Sequence, residues 1–234
     1  MQTLLGKHWH HLPAPDVLEL LESNLEKGLD IFEVQHRQGR FGPNVLTPRR
    51  GKSPLARLLA QFANPLILIL LASSVITAVV KGPVDAIIIL VVVLLNAAIG
   101  YVQESKAEKA IEALAQAMSA EATVIRAGER VRLPAKALVP GDIVFLQAGD
   151  KVPADLRLLR SRDLQVAEAA LTGESAPIRK DAAVDLPVDV VLAERSTMAY
   201  ASTLVTYGQA TGIVIATGDA TEVGRISQLI SEAQ

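Results

Sequence analysis

Thr172-Gly173-Glu174-Ser175 sets one carboxylate between two hydroxyl residues and beside a glycine, with Leu171 before it and Ala176-Pro177 after it. A carboxylate within hydrogen-bond reach of a water molecule can orient that water and accept its proton. The hydroxyls of Thr172 and Ser175 can bond nearby backbone groups and hold the shape of the turn. Taken alone, these residues also describe an ordinary polar surface loop. Their meaning depends on what surrounds them.

The surroundings begin with composition. The chain has 234 residues, enough for one large or two small domains. Half of it is hydrophobic but only 3% is aromatic, so the apolar content is aliphatic and locally concentrated. The 23 basic and 25 acidic residues nearly cancel, which gives no electrostatic argument for a nucleic-acid partner. There are no cysteines, which excludes disulfides and cysteine-based metal or redox sites. Residues 1–11 lack the apolar core of a signal peptide, so membrane insertion is expected through internal segments.

Two such segments are present. From Leu58 to Val80 no residue is charged, and after Lys81-Gly82-Pro83 a second uncharged run extends from Ala86 to Gln103. Each is long enough to cross a hydrocarbon core of about 30 Å as a helix, and two adjacent runs of this purity exceed what a small soluble core needs. The expectation is a transmembrane hairpin over 58–103, with spans at about 62–80 and 84–103. Basic residues before the first run (Arg49, Arg50, Lys52, Arg57) and after the second (Lys106, Lys109) outnumber Lys81 between them. That predicts a cytoplasmic location for both termini. Asp85 then lies at the outer end, as a solvated interface residue or a contact for an ion. Ser73, Ser74 and Thr77 are expected to serve helix packing rather than an ion path. A helical stalk over 104–118 continues the second span, with Ala107, Ala110, Ile111, Leu114 and Met118 on one stripe.

Ahead of the spans, residues 1–57 read as a helical cytoplasmic segment. Asp16 is placed as the cap of a helix with Val17, Leu18, Leu20, Leu21 and Leu25 on one face and Gly28 as its stop. Asp30 opens a second helix, with Glu33 as a capping-box partner and Gly39 at its end. His8, His10 and His11 beside Trp9 read as a flexible solvated end rather than a metal site. Residues 119–234 change to strand character. A hairpin is expected around Ala127-Gly128-Glu129, with strands at 143–146, 156–159, 164–166, 199–206 and 211–217, a loop over 176–195, and a final helix from about Thr221. The fold class is therefore membrane α+β: a two-helix transmembrane hairpin and a cytoplasmic β-rich body, a small barrel or distorted jelly roll, with N-terminal helices.

Several ordered blocks resemble the P-type cation-pumping ATPases. Leu138-Val139-Pro140-Gly141-Asp142-Ile143-Val144, Ala148-Gly149-Asp150-Lys151-Val152-Pro153-Ala154-Asp155 and Leu171 to Ser175 are similar to the family's actuator domain. Asn96 to Gly100, Gln103-Glu104 and Ala110 to Leu114 resemble the end of its second membrane helix, and Arg40 to Leu46 its N-terminal segment. The resemblance implies that Glu174 positions the water that hydrolyses an aspartyl phosphate, with Thr172, Gly173 and Ser175 shaping the turn and Gly173 letting backbone approach the phosphate. No cofactor site is implied in this chain; ATP and Mg²⁺ are implied for the complete pump.

The family's Asp-Lys-Thr-Gly-Thr phosphorylation motif has no match: Val152 follows Asp150-Lys151, and Thr217-Gly218-Asp219 reads as a turn. A chain without the phosphorylation and nucleotide-binding domains is expected to be inactive alone, as a truncated or split pump portion. Its expected partners are the lipid bilayer, the missing C-terminal pump half and a transported cation. The N-terminal segment and short outer turn look most like the Ca²⁺ branch, and Na⁺/K⁺-, H⁺- and Mg²⁺-type relatives share much of this region. The expected location is a plasma or inner membrane, as a multi-pass protein. The rival reading is a non-catalytic membrane protein that binds or regulates an intact pump.

Overall fold

The computed structural model describes residues 8–47, 62–117, 121–173 and 175–232. It divides into two compact units, Met1–Thr47 with Ser119–Gln234, and Pro48–Met118.

The first unit is built on a seven-stranded antiparallel sheet in the order β2-β1-β3-β7-β4-β5, with β6 paired to β4. The strands are β1 Glu121–Arg126, β2 Glu129–Pro134, β3 Ile143–Gln147, β4 Asp155–Ala167, β5 Ile178–Arg179, β6 Met198–Ala199 and β7 Leu204–Ala216. The predicted hairpin is present, its two-residue turn Ala127-Gly128 having positive φ at both positions, as a twisted hairpin requires. Val124, Leu138, Val144, Leu156, Leu158, Leu164, Val166, Val205 and Val214 are fully buried in the main core.

The central pair corrects the sequence reading. The strands expected at 156–159 and 164–166 are one strand, β4, and those at 199–206 and 211–217 resolve into the short β6 and the continuous β7. The polar interruptions are bulges rather than turns. Register shifts fall between Leu158 and Arg160 and between Arg162 and Gln165, and Gly208 (φ +78°) lies against the backbone of Asp163 (φ +50°). The ladder resumes beyond them, so β4 and β7 form the spine of the domain. The expected loop over 176–195 contains β5 and a single 3₁₀ turn at Leu192–Glu194.

The N-terminal helices pack on this sheet. α1 spans Ala14–Leu20, so Asp16 lies inside its first turn rather than at the cap. The helix closes early because Glu22 turns left-handed (φ +48°) and the Ser23 amide bonds the Leu18 carbonyl at 2.9 Å, leaving Leu25 and Gly28 beyond its end. Val17 and Leu21 are buried with Trp9, Met198, Tyr200 and Ile213. α2 spans Ile31–Phe41 and starts as predicted, with Asp30 Oδ1 accepting the Glu33 amide at 2.8 Å. The Glu33 carboxylate accepts from Arg37 Nε rather than closing a capping box. The helix runs through Gly39 and ends at Gly42, whose φ of +72° suits a glycine terminator. Trp9 and His10 are also buried, and His10 Nε2 lies 3.0 Å from the Val188 carbonyl, so this stretch is anchored rather than a flexible end. The final helix is α6, Glu222–Glu232, started by Thr221 Oγ1 accepting the Gly224 amide at 3.1 Å.

The second unit is apolar. α3 spans Pro65–Val80, with Asn64 Oδ1 accepting the Leu66 amide at 3.0 Å and Pro65 in the first turn. α4 spans Pro83–Ala117, and its portion Pro83–Ala107 has a mean hydropathy of 2.4, the one described helix long and apolar enough to cross a membrane. Ser74 is buried and its hydroxyl donates to the Ala86 carbonyl at 3.1 Å, so it packs α3 against α4 as expected. Small Ala86 and Ala97 are buried, whereas Leu66, Ile76, Ile88, Leu95 and other large aliphatic residues face outward. The linker 48–57, the start of the first run and Met118 lie outside the described residues.

Candidate functional site

The predicted turn hangs between two strands of the sheet. After β4 ends at Ala167, Glu168 begins one helical turn, α5 (Ala169–Thr172), which leads into the polar turn expected from Leu171 to Ser175. The Glu168 carbonyl accepts the amides of Leu171 at 2.9 Å and Thr172 at 3.0 Å, and the Thr172 hydroxyl at 3.1 Å. The Gly173 amide closes the turn on Ala169 at 3.0 Å, and Gly173 itself is left-handed, φ +77°. A side chain at that φ would be strained, so glycine is what permits the chain to reverse there. Thr172 is half-buried, and Gly173 and Ser175 are exposed; Glu174 lies outside the described residues.

The chain returns through β5. Ile178 pairs with Val166, Arg179 with Gln165, and the Lys180 amide donates to the Leu164 carbonyl at 2.9 Å. Leu171 points inward and packs with Leu192 against the cluster of Trp9, Met198 and Tyr200. One apolar anchor thus fixes the inner side of a turn whose outer side is polar and open.

Beneath the turn lies a feature that sequence reasoning missed. Glu168 and Lys180 are both fully buried, and Lys180 Nζ lies 2.8 Å from each carboxylate oxygen of Glu168. Nζ also approaches the Arg195 carbonyl at 3.5 Å and sits 5.5 Å from the centre of the Tyr200 ring. Burial pushes the Glu168 carboxyl up and the Lys180 ammonium down from their ordinary values, and each charge partly offsets the shift of the other. Nothing in the order of residues distinguishes this pair from solvated surface charges. Only the fold buries it.

The other motif blocks hold the framework. Asp142 is fully buried and accepts from Arg126 Nε at 2.9 Å, Arg126 Nη2 at 2.7 Å and the Val139 amide at 2.8 Å. Arg37 of α2 donates to the Pro140 carbonyl at 2.8 Å, so the Pro140-Gly141-Asp142 turn is clamped from two sides. Asp150 accepts the Gln147 amide at 3.0 Å in its own tight turn. Asp155 accepts the amides of Ala201 and Glu222, each at 2.8 Å, tying the start of β4 to the N-terminus of α6; burial raises its carboxyl to about 6. Asp219 takes the amide of Thr47 at 2.8 Å and its hydroxyl, so Thr217-Gly218-Asp219 is the turn predicted for it.

The sheet order, the turn and the clamped blocks can be set beside known proteins. Residues 116–231 match the P-type ATPase actuator domain, and residues 9–77 match the N-terminus of cation transporters and ATPases. The chain belongs to the P-type cation-transporting ATPases. A probable cation-transporting ATPase F of Mycobacterium tuberculosis is 50% identical over 225 residues, which is 96% of this chain. The cation-transporting ATPase pma1 of Synechocystis is 49% identical over 227 residues, and the calcium-transporting ATPase 1 of Bacillus cereus is 40% identical over 230, each match covering 97% of this chain. The chain spans about a quarter of the length of these relatives (25%, 25% and 26%). What it contributes to a P-type ATPase is therefore an N-terminal region and an actuator domain.

Proposed function

We propose that this chain is the N-terminal membrane and actuator portion of an ATP-driven cation pump, and that its Thr172-Gly173-Glu174-Ser175 turn promotes hydrolysis of the pump's aspartyl phosphate. The observation that carries the reading is the turn itself: the exposed, left-handed Gly173 directly precedes Glu174 in sequence, within a domain that matches the actuator. In the proposed step the Glu174 carboxylate accepts a proton from water while the water oxygen bonds to phosphorus. The phosphorus–oxygen bond to the aspartate breaks, and the aspartate leaves as carboxylate with the electron pair. Thr172 and Ser175 support the turn, and Gly173 lets it approach the phosphate. The aspartate, the ATP and its Mg²⁺ belong to the C-terminal part of the pump, so this portion alone is inactive.

The membrane assignments belong to the same reading. α3 and α4 form a two-span hairpin in a plasma or inner membrane, with both ends of this portion cytoplasmic, as the distribution of basic residues supports. The functional divisions are 1–57, 58–103, 104–118 and 119–234. Covalent tethers on both sides of the β-rich body would let its rotation pull on the spans and couple phosphate release to ion access. Ca²⁺ is the first cation to test, because relatives at 40% and 36% identity are calcium-transporting ATPases.

A chimera tests the reading: this chain replaces the corresponding quarter of the Synechocystis relative, and the product is reconstituted in vesicles. Cation-stimulated ATP turnover is expected. A dead chimera, together with a native chain that alters turnover when co-reconstituted with the intact relative, would instead identify a regulator of pumps.

A further inference from the structure

Glu168 and Lys180 stand on either side of the segment that carries the turn, and their side chains meet underneath it. Glu168 supplies the carbonyl on which α5 is wound, accepting Leu171 and Thr172. Lys180 follows β5 directly and holds its backbone to Leu164. The pair therefore closes residues 169–179 into a loop whose two ends are joined both by the β4–β5 ladder and by a buried ion pair hydrogen-bonded through Glu168 Oε2. A hydrophobic closure would have been available, because the surrounding residues Leu164, Val166 and Tyr200 are themselves buried.

A buried ion pair is an expensive way to gain stability. The desolvation of two charges roughly cancels their attraction, and apolar residues of similar volume commonly serve as well or better. What the pair adds is direction. The buried hydrogen bond from Lys180 Nζ to Glu168 Oε2, with Oε1 held 2.8 Å from the same ammonium but without hydrogen-bond geometry, fixes the orientation of Glu168, and with it the carbonyl that seeds α5, more narrowly than packed aliphatic chains do.

We propose that Glu168 and Lys180 are positioning residues for phosphoenzyme hydrolysis, holding the turn in the geometry from which Glu174 acts. The proposal rests on the functional reading above and deepens it. Placement of a reacting group is sensitive to displacement of about 1 Å, which costs up to about a hundredfold in rate. Neither residue touches the phosphate; both act through the backbone of α5.

The test uses the chimera and the paired replacement Glu168→Met with Lys180→Met, which removes both charges and leaves apolar side chains of similar length. Thermal unfolding and phosphoenzyme formation from ATP should match the parent, because no charge is left buried alone. Phosphoenzyme decay should slow by about 10- to 100-fold. The single variant Lys180→Met, which strands the Glu168 carboxylate, should unfold at lower temperature as well. Decay at the parental rate in the stable double variant would overturn the proposal. So would slow decay accompanied by an equal loss of phosphoenzyme formation or of thermal stability, since that marks a general folding defect. Glu174→Gln in the same chimera separates the two levels. If it decays normally, the reading of the turn fails; if it decays slowly while the double methionine variant does not, only the positioning role fails.

Discussion

Asp155 gives this domain a pH dependence that can be worked through from its surroundings. Its carboxylate is almost fully buried at the junction of β4 and α6, and burial raises its pKa from 3.8 to about 6, although the amides of Ala201 and Glu222 oppose the shift. Between those two values the folded protein holds the proton more tightly than the unfolded chain does. Stability conferred by this group is therefore present at low pH and lost as pH rises through about 6. A shift of about two units at 1.36 kcal/mol each amounts to about 3 kcal/mol, most of it lost between pH 4 and pH 7. Trp9 is the single tryptophan in the chain, is buried, and lines the same cavity of about 480 Å³ as Asp155, so its fluorescence reports unfolding at this site. Urea titrations followed by Trp9 should be made on the parent and on Asp155→Asn at several pH values. Glu168, raised in the same direction, titrates in both proteins and cancels in the difference. The stability of the parent relative to the variant should fall by about 3 kcal/mol from pH 4 to pH 7. A difference that stays flat, or that rises with pH, would refute the reasoning.

Further tests address the framework. Arg157 is buried and donates to the carbonyls of Leu12, Leu158, Ala182 and Thr197, pinning the N-terminal segment to β4. Arg157→Met should destabilise the domain by about 3 kcal/mol, chiefly by taking the donor from the Leu12 and Ala182 carbonyls, since Thr197 also accepts the Leu158 amide, and Arg157→Lys should recover little because one ammonium cannot span them; urea midpoints would show both. Gly208 and Gly128 both have positive φ, but a Cβ at Gly208 would collide with the Asp163 backbone whereas one at Gly128 meets open space. Gly208→Ala should therefore cost at least about 2 kcal/mol more than Gly128→Ala, again by urea midpoint.

The parts of the fold that could be read in advance are those written in local pattern. Uncharged aliphatic runs announced α3 and α4, the Ala127-Gly128 pair marked the hairpin, and Asp30 marked the start of α2. The errors have a common physical source. β4 and β7 each read as two strands in sequence because polar Arg160-Ser161-Arg162-Asp163 interrupts the apolar pattern and Gly208-Gln209-Ala210 reads as a connection, and only their cross-strand pairing makes them facing bulges. α5 is a single turn, too short to show a helical period. At the site, Thr172, Gly173 and Ser175 could be named from sequence, and their surroundings could not. Lys180, Arg157 and His10 look solvent-exposed by type, yet they are buried because their partners come from distant parts of the chain.

The central claim is that Glu174 activates the water that clears the phosphoenzyme. The most direct measurement is the decay of phosphoenzyme formed from ATP in the chimera carrying Glu174→Gln. The amide cannot accept the water proton, so phosphoenzyme should form normally and decay about 10²- to 10⁴-fold more slowly than in the parent. Decay at the parental rate would contradict the account.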